Sequence, residues 1–239
     1  MIPTAVRQDS DALAAFAALA DRLPGDYLIV GAHAGYIYHH WLMPISKMID
    51  LRVRSRDLAA WQTALVPPWT VLTQIPTLAQ VRSAARLARL EPTLVDTPYR
   101  RHRVINGLNF IAPEDWTVEL LARASTQISL SECAALLIAQ RATLDWEYLA
   151  KHAGALGLTA RLRGIVKTIN REAGQPLLPL DRIIRSSAPK SSRAARELRQ
   201  LTAYLPPALR ASHRPSIAPA TVADVLRGLQ ARWKVLDAR

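Results

Sequence analysis

"SKMIDLRV", residues 46–53, is the stretch on which the fold turns. Side chains two apart in a strand share a face. Read as a strand, Met48–Val53 sends Ile49, Leu51 and Val53 into a core. The opposite face then carries Met48, Asp50, Arg52 and, one residue on, Arg54. A lone carboxylate on the polar face of an apolar strand is a candidate catalytic position. Its structural alternative is an ion pair with Arg52 or Arg54.

Working upstream, "YLIV" (27–30) reads as a short buried strand that runs into Gly31, and a helix is expected over 32–41. A helix N-terminus offers free N–H groups and the positive end of a dipole, so Gly31 and Ala32 form a candidate phosphate seat, with His33 just behind them. An earlier helix, capped by Ser10, is expected to reach about Leu23. Working downstream, helices are expected from Ser55 or Arg56 to about Leu65 and from about Thr77 to Leu90, with Pro67-Pro68 between them. Strands are expected at 94–96 and 104–111. The interleaved order indicates an α/β (α+β) domain built on a small mixed sheet.

After Pro113 the pattern is helical. Ser129 and Glu132 have capping-box spacing before a helix expected over 130–141. Thr143 is placed as the cap of a helix over 144–156 closed by Gly157, and Thr159 as the cap of one over 159–172. From residue 176 the composition shifts: twelve Lys or Arg stand against four acids, punctuated by seven prolines. Short helices are expected there near 192–204 and 221–236. The expected organisation is a core (1–112), a helical region (113–175) and a basic extension (176–239).

The charge is the strongest global signal. The chain of 239 residues has a net charge of +12, and its pI is about 10.6. Such an excess favours an anionic partner, foremost nucleic acid, over a surface kept basic for solubility. Arg82, Arg86 and Arg89 recur at i, i+4 and i+7 of an expected helix and form one stripe. Arg100, Arg101 and Arg103 cluster before the next strand, and Arg193, Arg196 and Arg199 lie in the extension. Arg161, Arg163, Lys167 and Arg171 decorate the helix after Gly157. Six tryptophans are candidates for base stacking or for the core. The final helix has Val222, Val225, Leu226, Leu229, Trp233 and Leu236 along one side, which either packs back or docks a protein partner.

Other chemistry is sparse. His39 and His40 are adjacent and point apart, so packing is a better account of them than metal binding. The single cysteine, Cys133, lies on an apolar helix and reads as core; it excludes an internal disulfide and suits a reducing, cytoplasmic setting. No uninterrupted apolar run reaches about 18 residues, so no membrane span is expected. There is no Gly-rich loop of the P-loop or dinucleotide-binding type.

"LIVGAHAGYIYHH" followed by "ISKMIDLRV" resembles the polymerase-β-like nucleotidyltransferase superfamily, in the branch related to bacterial abortive-infection (AbiE-type) toxins. The likeness extends through "LVDTPYRRHRVINGLNFIAPEDWTVELL" and "QRATLDWEYLAKHAGALGLTARL", about residues 26–171. It implies a strand, a Gly-Gly or Gly-Ser turn and a helix, then two carboxylates two residues apart on the next strand and a third carboxylate later. Those carboxylates hold two Mg²⁺ ions that serve a nucleoside triphosphate. By that resemblance Asp50 is the second carboxylate and Asp96 the third, and both would be catalytic and metal-binding in an active protein. Gly31, Ala32, His33, Arg52 and Arg54 would face the nucleotide. Met48 replaces the first carboxylate, and Ala32 replaces the second Gly or Ser. A thioether is a poor ligand for a hard cation. The lead expectation is therefore a catalytically degenerate member, with no cofactor of its own, that binds nucleic acid or nucleotide, as in a toxin–antitoxin or defence system. One alternative is an active transferase using Mg²⁺ and NTP on RNA or protein. Another is a structural subunit that docks a partner protein.

Overall fold

A computed structural model describes residues 13–20, 22–23, 26–40, 47–93, 101–123, 127–186 and 219–237. It is a mixed α/β protein with one six-stranded mixed sheet. Contacts divide it into two units: Met1–Ile37 with Leu42–Ala112, and Tyr38–Trp41 with Pro113–Arg239.

The first unit holds the sheet. Helix α1 (13–20) precedes β1 (Tyr27–Val30), α2 (Gly31–His39) and β2 (Met48–Arg54). A 3-10 turn at Ser55–Asp57 leads into α3 (Leu58–Ala64). Then come β3 (Trp69–Leu72), α4 (Leu78–Ser83), β4 (Arg86–Thr93), β5 (His102–Ile105) and β6 (Leu108–Ile111). The sheet order is β3-β4-β2-β1-β6-β5. β1 runs antiparallel to β2, while β4 runs parallel to β2 on its other side. Ile49, Leu51 and Val53 are fully buried, as the alternation requires. On the same face as these residues, Tyr27 packs edge-on against Phe16 and Trp61, with ring centroids 5.3 Å and 5.7 Å away. Burial of such side chains stabilises the unit by about 1.5–3 kcal/mol each.

Three expectations change here. The helix expected over 77–90 stops at Ser83, and Arg86 opens β4. Ala88 and Leu90 are fully buried on one face, and on the other the fully buried Leu87 precedes the part-exposed Arg89 and Glu91. Pairing with both neighbours in the sheet outweighs the helix preference of Ala, Leu and Arg. A strand at Trp69–Leu72 was not expected; it forms the sheet edge beside β4. The strand expected over 104–111 is a hairpin. Asn106 and Gly107 both take positive φ (51° and 77°), the conformation that a two-residue type I′ turn demands. The expected strand at 94–96 lies outside the described residues.

The second unit is helical: α5 (Pro113–Arg123), α6 (Gln127–Ala139), α7 (Trp146–Ala155), α8 (Thr159–Glu172), α9 (Leu180–Ser186) and α10 (Pro219–Asp237). The caps differ from those expected. α6 begins at Gln127, so Ser129 lies inside it and not at its cap. Asp145, not Thr143, caps α7 by accepting from the Tyr148 N–H at 3.0 Å. The buried Glu114 in turn accepts from the Asp145 N–H at 2.8 Å and so fixes the approach to α7. α8 follows Leu158 without a side-chain cap, and Thr159 is its first residue. Cys133 is fully buried, and burial pushes its thiol pKa up, with the neighbouring Glu132 charge adding to the effect. It is a core residue. Val222, Val225 and Leu229 of α10 are buried, with the helix packed on α6 and α8. Among the described residues no helix is long and apolar enough to cross a membrane.

Candidate functional site

The polar face of β2 is where the sequence concentrates its candidates, and β4 supplies their partners. Parallel register sets Asp50 beside Arg89 and Arg52 beside Glu91. Arg89 Nε donates to Asp50 Oδ1 at 2.7 Å, and Arg89 Nη2 donates to Glu91 Oε1 at 2.9 Å. Arg52 Nη2 donates to Glu91 Oε2 at 3.3 Å. Two cations and two carboxylates thus alternate in one chain of contacts across two strands. Arg54, at the end of β2, pairs with Asp26 at 2.6 Å.

The lattice is deepest at Asp50, whose side chain is 6% exposed, against 17% for Arg89 and 24% for Glu91. A carboxylate at that depth requires a partner, since an isolated buried charge is expensive. Arg89, one strand over, is such a partner. Sequence reasoning had set Arg89 on a helical stripe and passed over Glu91. No short-range signal joins Asp50 to a residue thirty-nine positions away. An acid two residues after an arginine on a second apolar run was the signal available for Glu91.

The N-terminus of α2 meets this same carboxylate. Gly31 has φ of +69°, and a Cβ there would lie 2.2 Å from Asp50 Oδ2. Only glycine suits that backbone and that approach. The positive end of α2 therefore has an internal anion against its first residue. Ala32 is exposed, but His33 is 2% exposed, and its Nε2 is buried with no hydrogen-bond partner among the described residues. Burial lowers the His33 pKa to about 4, so the imidazole is neutral at pH 7. A ring in that state brings no positive charge to a phosphate.

Two Mg²⁺ ions would need several hard oxygen ligands with lone pairs to spare. The residues present do not fit that requirement. Met48 offers sulfur, Asp50 is bonded to Arg89, and both Glu91 oxygens are taken by guanidinium groups. Among the described residues no three His, Cys, Asp or Glu side chains gather as a metal site. Asp96 lies outside the described residues.

The Arg82–Arg86–Arg89 stripe does not exist as such. Arg82 is in α4, while Arg86 and Arg89 fall on opposite faces of β4. Arg86 sits over the Trp69 ring at 5.8 Å, and Arg89 is in the lattice. Arg101 and Arg103 are half-buried around the start of β5. Arg100, Arg193, Arg196 and Arg199 lie outside the described residues. Trp61, Trp69, Trp116 and Trp146 are all buried and present no stacking platform.

In the second unit, His39 is buried with Nε2 3.6 Å from Glu132, which also accepts from Trp116 Nε1 at 3.2 Å. Asp115 accepts from the Tyr148 hydroxyl at 2.8 Å and lies 3.3 Å from His152 Nδ1, with Tyr148 and His152 stacked. Sequence reasoning passed over this trio; an acid in the first turn of α5 and an i, i+4 aromatic pair on α7 were its only traces. The Arg161 guanidinium donates to the Leu121 carbonyl, and burial lowers its pKa. It is a helix-end contact rather than a free surface charge.

Comparison with protein-family models, with characterised proteins and with solved structures returns no match for this chain.

Proposed function

We propose that this protein is a non-catalytic binder of nucleic acid whose sheet keeps the outline of a nucleotidyltransferase core without its chemistry. The observation that carries the reading is the closed lattice Asp50–Arg89–Glu91–Arg52. It stands where the resemblance would put metal-binding carboxylates, and it engages three of the four carboxylate oxygens of Asp50 and Glu91 with guanidinium groups, which weighs against a bound cation. The net charge of +12, eight units of it within residues 176–239, supports a polyanion as the partner. A place in a toxin–antitoxin or defence system is an analogy at the level of fold.

An active transferase has one observation in its favour: Glu91 stands on the same face as Asp50, one strand over. Met48 and Arg89 weigh against it. The deciding experiment incubates the full chain with each labelled NTP, Mg²⁺ and bulk tRNA, beside Asp50→Asn and Glu91→Gln. The expected result is no label transfer and retention of RNA that falls with salt. Transfer that disappears in Asp50→Asn overturns the reading.

A further inference from the structure

The polar lattice of the sheet is neutral within itself, so it does not account for the affinity that the charge excess implies. α8 offers a surface that does. Its buried side is Leu162, Ile165, Val166 and Ile169. Arg163, Lys167 and Arg171 recur at i, i+4 and i+8 and so lie along the opposite side. Lys167 and Arg171 are exposed and Arg163 is half-exposed. Arg171 has Glu172 beside it at 3.1 Å. Arg163 and Lys167 have no ion-pair partner among the described residues. The helix carries four cations against one carboxylate.

How α8 is held matters as much as its charge. α7 ends in a Schellman motif: Gly157 has φ of +70°, its N–H bonds the Gly154 carbonyl at 3.0 Å, and the Leu158 N–H bonds the Ala153 carbonyl at 2.7 Å. Three residues, Leu156-Gly157-Leu158, therefore connect α7 to α8. That is the connection length, with its left-handed glycine, of a helix-turn-helix. α7 is fixed by the Asp145 cap, by Glu114 behind that cap and by the Tyr148–Asp115 bond. A rigid first helix and a short turn hold the second helix with its cationic side outward.

We infer that α7–turn–α8 is a duplex-DNA-binding element, with the Arg163–Lys167–Arg171 side of α8 set into the major groove. This rests on the nucleic-acid reading above and names the surface and the form of the polymer. From Arg163 to Arg171 is about 12 Å of helix, close to the width of the B-form major groove. Cations at the two ends of such a stripe reach phosphates on both walls. Ala160 and Gly164, on the same side, keep its relief low, and a Cβ at Gly164 would meet nothing within 4 Å. A-form RNA has a major groove too deep and narrow for a helix, and a single strand has no groove, so duplex DNA is the occupant that the shape favours.

The test measures anisotropy of a short, mixed-sequence fluorescent DNA duplex titrated with the full chain. The same-sequence single strand and an RNA duplex run beside it, across a salt series. The variant is Arg163→Gln with Lys167→Gln. Arg56→Gln serves as the control, an exposed arginine of the first unit. The expected result is tightest binding to the DNA duplex. The double variant should reduce the salt slope by about 2 and weaken affinity on the order of tenfold to a hundredfold near 0.1 M salt. The control should stay within about twofold, and melting of both variants should match the parent. Parent-like binding by the double variant overturns the assignment to α8 and leaves the nucleic-acid reading standing on residues 176–239. Equal or tighter binding to the RNA duplex or the single strand overturns the groove. No binding to any of the three polymers overturns both.

Discussion

The face of β2 and β4 and the outer side of α8 are both arginine-rich, and they do opposite things with their charge. On the sheet, every guanidinium of the lattice finds a carboxylate within 3.3 Å. On α8, Arg163 and Lys167 face outward with no such partner among the described residues. The difference follows from secondary structure. A parallel strand pair brings residues from distant parts of the chain side by side, so charges buried there must be matched in place. A helix surface leaves its charges in water, where an unmatched cation costs little until a polyanion arrives. Counting basic residues does not separate the two cases; finding their partners does.

The largest effect expected is the loss of a lattice member. Arg89→Met leaves Asp50 buried without its cation and should cost about 3–5 kcal/mol in chemical denaturation. Replacing both partners, Arg89→Met with Asp50→Leu, should recover most of that, since a matched apolar pair removes the uncompensated charge. If Arg89→Met costs less than about 1 kcal/mol, as an exposed pair would, the sheet face is not closed and the contrast with α8 collapses.

A second effect separates the two regions by pH. His33 is sealed in the first unit with a pKa lowered from 6.5 to about 4. The unfolded chain binds a proton there as pH falls through about 6.5, whereas the folded chain does so only near 4. Between those values the unfolded state carries more protons, so stability drops as pH falls. At pH 5 the loss should be about 2 kcal/mol relative to neutral pH. His33→Asn should flatten this slope whatever it does to absolute stability. Denaturation midpoints at pH 7 and pH 5 for parent and variant give the answer, and an unchanged slope would place the titration elsewhere.

What was legible in the sequence is what depends on near neighbours. β2 followed from alternation, with Ile49, Leu51 and Val53 facing inward, and β1 from a short apolar run that ends at Gly31. β4 was not legible. Arg82, Arg86 and Arg89 imitate a helical stripe, and Leu87 next to Ala88 breaks the two-residue period at the start of the strand. The pairing that defines the candidate site, Asp50 with Arg89, is a product of parallel register and has no local trace. The Asn106-Gly107 turn is different: its signal was present, and it was absorbed into a single long strand. Asp145 likewise had the chemistry of a cap, but Thr143 was placed there instead.

The smallest effect expected concerns α8 in the absence of any ligand. Arg163 and Lys167 are like charges at i, i+4, an arrangement that destabilises a helix by a few tenths of a kcal/mol. Arg163→Gln with Lys167→Gln should therefore leave the protein as stable as the parent or more stable by about 0.2–0.5 kcal/mol, with the gain shrinking as salt screens the repulsion. A loss above about 1 kcal/mol would mean that these side chains are engaged within the fold, like Arg89, and α8 would join the sheet as a closed region. A neutral or favourable change at low salt, together with lost affinity for duplex DNA, would mean that the charge does nothing for the folded chain by itself and acts only on what the chain binds.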